Sequence, residues 1–151
     1  MRTVAASVLA LVALSACRSG STAGDGEPPE AVPRCQVVVE APAGFQPLEV
    51  FREGYADHVG VRLGFRDLDG RELHAFAGIP GEFGEGLPPA GTLDLGGGRI
   101  GLLSGSGRVW VVEWDEGGVC DPRVALGNGF GREGFLSVLE QAGIVTGFGS
   151  R

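Results

Sequence analysis

Apolar residues follow three regimes along this chain. Residues 4–14 are apolar almost without interruption, residues 18–33 (RSGSTAGDGEPPEAVP) keep no period, and from Cys35 onward apolar and polar positions alternate. Period two is the mark of a half-buried strand. Residues 36–40 and 48–52 read as short strands separated by Pro42-Ala43-Gly44. Val59, Val61, Leu63 and Phe65 alternate strictly with Gly60, Arg62, Gly64 and Arg66, so the four apolar side chains share one face. Asp67-Leu68-Asp69-Gly70 then turns the chain into a return strand at 71–77. A three-residue loop at 68–70, with Gly70 in a left-handed bulge, pairs Phe65 with Leu73, Leu63 with Ala75 and Val61 with Ala77. A two-residue loop would mix the faces.

The same test places a loop at 105–107, pairing Leu102 with Trp110 and Ile100 with Val112. It places another at 116–118, pairing Trp114 with Cys120 and Trp110 with Val124, so that both tryptophans share a face with Cys120. The period then changes. Phe135, Leu136, Val138, Leu139 and Ala142 fall at helical spacing, and Gly143 supplies a C-cap. These elements predict an α+β fold, an antiparallel β-meander sheet with one C-terminal α-helix packed on a face. Neither an internal repeat nor a second domain is legible.

Composition narrows the chemistry. The 151 residues, 43% of them hydrophobic, suffice for one cored domain. A net charge of -7 argues against nucleic acid, whose phosphates call for a basic face. All 12 basic residues are arginines, which excludes amine chemistry such as Schiff bases and the phosphate-binding lysine of a P-loop. No G-x-S-x-G surrounds a serine. Gly129-Phe130-Gly131-Arg132-Glu133-Gly134 spells G-x-G-x-x-G, but too little chain follows it for a dinucleotide fold, and it reads as a strand-to-helix turn. Asp67-Leu68-Asp69-Gly70 opens like a calcium loop without the closing glutamate and reads as a turn.

His58 and His74 are the only imidazoles and read as surface residues. The hairpin register sets His74 beside Arg62, Arg66 and Glu72 on the polar face. An acid–base pair of His74 with Glu72 is set aside on the expectation that the two point apart. No metal site, catalytic residue or cofactor is expected. Residues 78–91 (GIPGEFGEGLPPAG) form a connection longer than a hairpin needs, and such loops are often functional. Phe83, flanked by Glu82 and Glu85, is the candidate binding anchor within it, with a core-plugging role as the other reading.

The N-terminus reads as an address. Met1-Arg2 is followed by an apolar run too short to span a bilayer and right for a secretory signal. Leu14-Ser15-Ala16-Cys17 resembles a bacterial lipobox, which implies diacylglycerol on the Cys17 thiol and cleavage before it. The domains expected are a signal peptide at 1–16, acylated Cys17 with a flexible tether at 17–34, and one extracytoplasmic domain at 35–151. The tether would hold that domain on average about 20–25 Å from the lipid. With Cys17 consumed, Cys35 and Cys120 remain as an even pair in an oxidising compartment, which favours a disulfide over two thiols or zinc ligands. A loop of about 86 residues would then be closed.

From Gly97 to Val145 the chain carries Gly-Gly-Arg-Ile-Gly-Leu-Leu, the strand Val109-Trp110-Val111-Val112-Glu113-Trp114 with Glu116-Gly117-Gly118, then Leu126-Gly127 and Arg132-Glu133-Gly134-Phe135-Leu136. This third of the chain resembles bacterial extracytoplasmic domains of unknown function found in lipoproteins and on membrane-bound regulators. Gly131 stands where their helix has a Ser or Thr cap. The resemblance implies a sheet-and-helix fold and an envelope role, and carries over no catalytic residue. The expected function is a non-catalytic, lipid-anchored envelope module that binds a protein or another envelope component. A small-ligand carrier or sensor is the alternative, and a small envelope hydrolase the third reading.

Overall fold

The computed structural model describes residues 31–146. The signal-like segment, Cys17 and most of the tether lie outside the described residues. Eight strands, β1 (Phe45–Pro47), β2 (Phe51–Gly54), β3 (Val59–Asp67), β4 (Glu72–Ala77), β5 (Pro89–Gly96), β6 (Arg99–Ser106), β7 (Val109–Trp114) and β8 (Arg123–Asn128), precede one helix, α1 (Arg132–Gln141). All strands join one antiparallel sheet in the order β1-β3-β4-β8-β7-β6-β5, with β2 also on β3. The fold is α+β, as the periodicities predict.

The β3–β4 hairpin has the expected register: Phe65 faces Leu73, Leu63 faces Ala75 and Val61 faces Ala77. Asp67 fixes its turn, accepting backbone hydrogen bonds from Asp69 and Arg71 at 3.0 and 2.8 Å, and Gly70 adopts φ +78°. Of the strand expected at 48–52 only residues 51–52 belong to a strand, β2; β1 precedes it at 45–47, and both pair with β3. Pro47 brings no N–H to a ladder, which suits an edge position and ends β1.

Three further expectations are corrected. Residues 36–40 form no strand: the Gln36 carbonyl accepts from Arg123 at 2.6 Å and the Glu40 N–H donates to Ala142 at the helix end, so the segment is a strap. Val38 on it is 89% exposed. The β6–β7 loop is the two residues 107–108, which sets Gly105 opposite Trp110 and Leu103 opposite Val112. The β7–β8 connection runs through 115–122 and sets Trp114 opposite Arg123 and Trp110 opposite Gly127. Both registers differ from expectation by three residues, an odd number, and therefore exchange faces. Leu103, not Leu102, enters the core.

That core lies between the sheet and α1. Phe65, Leu73, Leu95, Leu103, Trp110 and Val112 meet Phe135, Leu139 and Val145 there. Gly127 lets the helix approach: a Cβ on it would collide with the Phe135 ring and come within 3.0 Å of Phe130. The N-cap Gly131 makes no side-chain hydrogen bond, and Gly143, at φ +73°, donates to Glu140 to end the last turn. Cys35 and Cys120 are bridged. Cys35 packs with Val61 and Ala77, and Cys120 lies against that small cluster, apart from the tryptophans. The face expected to unite both tryptophans with Cys120 does not form, because Cys120 sits in the long connection rather than on a strand.

Candidate functional site

The long connection finds its reason in the strand order. β4 and β5 run in the same direction four places apart in the sheet, so the chain must cross about 19 Å of sheet to join them. Pro89–Gly91 belong to β5, which leaves residues 78–88 for the crossing. They pass over the sheet face opposite α1. Phe83, half-buried, rests on Phe76 with ring centroids 4.5 Å apart. Pro88 receives the Gly105 N–H at 3.0 Å, and Gly84 lies against Glu113 and Ser104. Beneath this cover Val111 and Val124 are fully buried, although both point away from the helix. Phe83 thus lies on a second, smaller apolar layer.

Beyond the loop the same face is open. β6 presents Leu102, 64% exposed, and Ile100, 57% exposed, two residues apart and on one side. Register sets Leu102 between Glu113 on β7 and Thr92 on β5, and Ile100 across from Asp94. A groove of about 350 Å³ separates the loop from this stripe, lined by Glu82, Gly84, Glu85, Leu102, Ser104 and Glu113. The sequence-predicted Glu82 and Glu85 therefore reach the site, where they meet Leu102, which the expected register sets opposite Trp110. The adjacent pair Leu102-Leu103 held the signal, because only one of two neighbours on a strand can face inward.

A second concavity, of about 280 Å³, lies between the 36–39 strap, Trp114 and the end of the helix. Its charged groups face one another, although the buried Arg123 Nε has no hydrogen-bond partner among the described residues. Glu116 accepts from the Trp114 indole at 3.1 Å and lies 3.4 Å from Arg99 and 3.7 Å from Arg123. The Trp114 hydrogen bond first, and the two guanidiniums with it, hold the Glu116 carboxyl below the usual range.

Both histidines are part-buried. The His58 side chain is 12% exposed, and His74 17%. His58 donates to the Gly78 carbonyl at 2.7 Å and to Asp57 at 2.6 Å, and Tyr55 stacks on its ring. Two acceptors at one imidazole, the Gly78 carbonyl foremost, raise its pKa. His74 donates to Glu72 at 2.9 Å. The expectation that these two point apart is corrected: residues two apart on a strand share a face. Glu72 also pairs with Arg66, and its carboxyl is lowered by the His74 bond first and Arg66 second. Among the described residues no three His, Cys, Asp or Glu side chains converge as metal ligands, and no helix is long and apolar enough to cross a membrane.

Compared with known protein families, curated proteins and solved structures, the chain has no match in any of the three.

Proposed function

We propose that this chain is a lipid-anchored, extracytoplasmic binding module that engages a protein partner through the sheet face opposite its helix. The observation that carries the reading is the exposed Leu102 and Ile100 stripe beside the groove along the 78–88 loop. Aliphatic side chains with this exposure, grouped and rimmed by polar residues, mark interaction surfaces more often than isolated ones do. The Leu14-Ser15-Ala16-Cys17 sequence supports the anchor, and the Cys35–Cys120 bridge suits an oxidising compartment.

Two experiments test the two halves. Cys17→Ser in cells should abolish incorporation of labelled palmitate and leave uncleaved precursor; normal labelling contradicts the anchor. A photocrosslinking side chain at position 102, in membranes carrying the full chain, should give a discrete protein adduct. The same group at position 68, where Leu68 is 100% exposed on the hairpin tip, should give none. Equal adducts, or none from 102, contradict the recognition face.

A small-ligand carrier is the second reading, favoured by the concavity beside Trp114. Both guanidiniums there already face Glu116, so a neutral ligand fits better than an anion. Saturable quenching of tryptophan fluorescence by a ligand panel, lost in Trp114→Phe, would support it.

A further inference from the structure

The charged side chains that line the groove beside Leu102 are all acidic. Some acids of the sheet meet arginines: Asp67 with Arg71, Glu72 with Arg66 farther along this same helix-distal face, Glu116 with Arg99 and Arg123. Around Leu102 and Ile100 they do not. Glu82 and Glu85 on the loop, Glu113 on β7 and Asp94 on β5 border the stripe, and among the described residues none of the four forms an ion pair. Among the described residues the Asp94 side chain accepts only the Gly96 N–H, at 2.8 Å. Glu113 is half-buried between Gly84 and Leu102, and no arginine of the described residues pairs with it.

We propose that this face docks a cationic polypeptide segment in which an aliphatic residue lies between two basic ones on the same side. The inference rests on the reading of the face as a recognition surface and names its partner's chemistry. Leu102 and Ile100 form an apolar floor at strand spacing, and the carboxylates stand on both sides of it. An extended segment with Arg, Leu and Arg at alternate positions sets its aliphatic side chain on the floor and its guanidiniums toward the carboxylates, where planar forks pair well. The overall charge of -7 steers such a segment toward the chain and repels an anionic one.

The probe is acetyl-Arg-Ser-Leu-Ser-Arg-amide, titrated into the methyl-labelled full chain in neutral detergent at low salt. Saturable NMR shifts should concentrate on the Ile100 and Leu102 methyls. The Glu-for-Arg probe should give none, and the probe with Ser for Leu should bind at least fivefold more weakly. Leu102→Ser and the double change Glu85→Gln with Glu113→Gln should each weaken binding at least fivefold, with the Leu63 methyl shift unchanged as a sign of intact fold. Absence of binding, equal binding of both charge types, shifts centred elsewhere, or a concentration-dependent dimer that moves the same methyls overturns the proposal. If the probe fails while the position-102 crosslink forms, the recognition face stands and its cationic partner does not.

Discussion

The Phe76 and Phe83 rings meet at a centroid distance of 4.5 Å, tilted by 46°, on the sheet face that the helix leaves bare. Phe83 is therefore partly a cover for Val111 and Val124 rather than a free anchor. Phe83→Ala should lower the unfolding free energy by about 1–2 kcal/mol, the scale of a half-buried aromatic and its partner ring. Phe135→Ala, in the fully buried core, should cost about 3–5 kcal/mol. Urea unfolding of the two variants checks the ranking, and a Phe83→Ala loss equal to that of Phe135→Ala would make the loop part of the main core.

Close approach of α1 to the sheet depends on Gly127. Gly127→Ala places a methyl group into the Phe135 ring, so the helix must shift or the ring must rotate. Overpacking of this kind costs about 1–3 kcal/mol. An unchanged urea midpoint would mean that the helix is not seated as described.

How far the sequence was legible depended on glycine. The β3–β4 register could be read because four apolar residues alternate without a gap and Asp67 specifies the turn. In β6, Gly105 hides the alternation: it faces the core but shows no side chain, and the Trp110 ring occupies its place, with Cε3 2.5 Å from where a Cβ would stand. Several glycines nearby could each make a turn, and the register slipped by three. The valine run at 36–40 misled for another reason, since its pattern suits a strand but its hydrogen bonds go to Arg123 and the helix end. Glu82 and Glu85 were found because the loop is long; Leu102, Ile100 and Glu113 were missed with the register.

His58 ties the root of the 78–88 loop to the β3 side of the sheet through the Gly78 carbonyl. Its pKa is raised above 6.5 in the folded protein, so its contribution to stability is complete below pH 6.5 and is lost as pH rises through the folded value. The chain has two histidines and no lysine, so few other groups titrate between pH 6 and 9. The urea midpoint should fall over that range, and His58→Gln should flatten the fall. A midpoint that rises with pH, or a slope unchanged in the variant, contradicts the clamp.

Reduction should destabilise the domain. The Cys35–Cys120 bridge spans a sequence separation of 85 residues and closes most of the described chain. Chain entropy assigns such a loop about 4–5 kcal/mol. Urea unfolding of the Cys35→Ala, Cys120→Ala double variant measures it. A loss below about 1 kcal/mol would show that the β3 and strap contacts hold without the bridge.

The recognition face is tested most directly by its accessibility where the protein works. Hydroxyl-radical footprinting should be run on the full chain in intact membranes and again after purification in detergent. Leu102 and Ile100 should be oxidised at least fivefold less in membranes than after purification, while Leu68 on the β3–β4 hairpin tip reacts equally in both. Equal oxidation of Leu102 and Ile100 in the two states, with Leu68 as the control, would contradict a partner on this face.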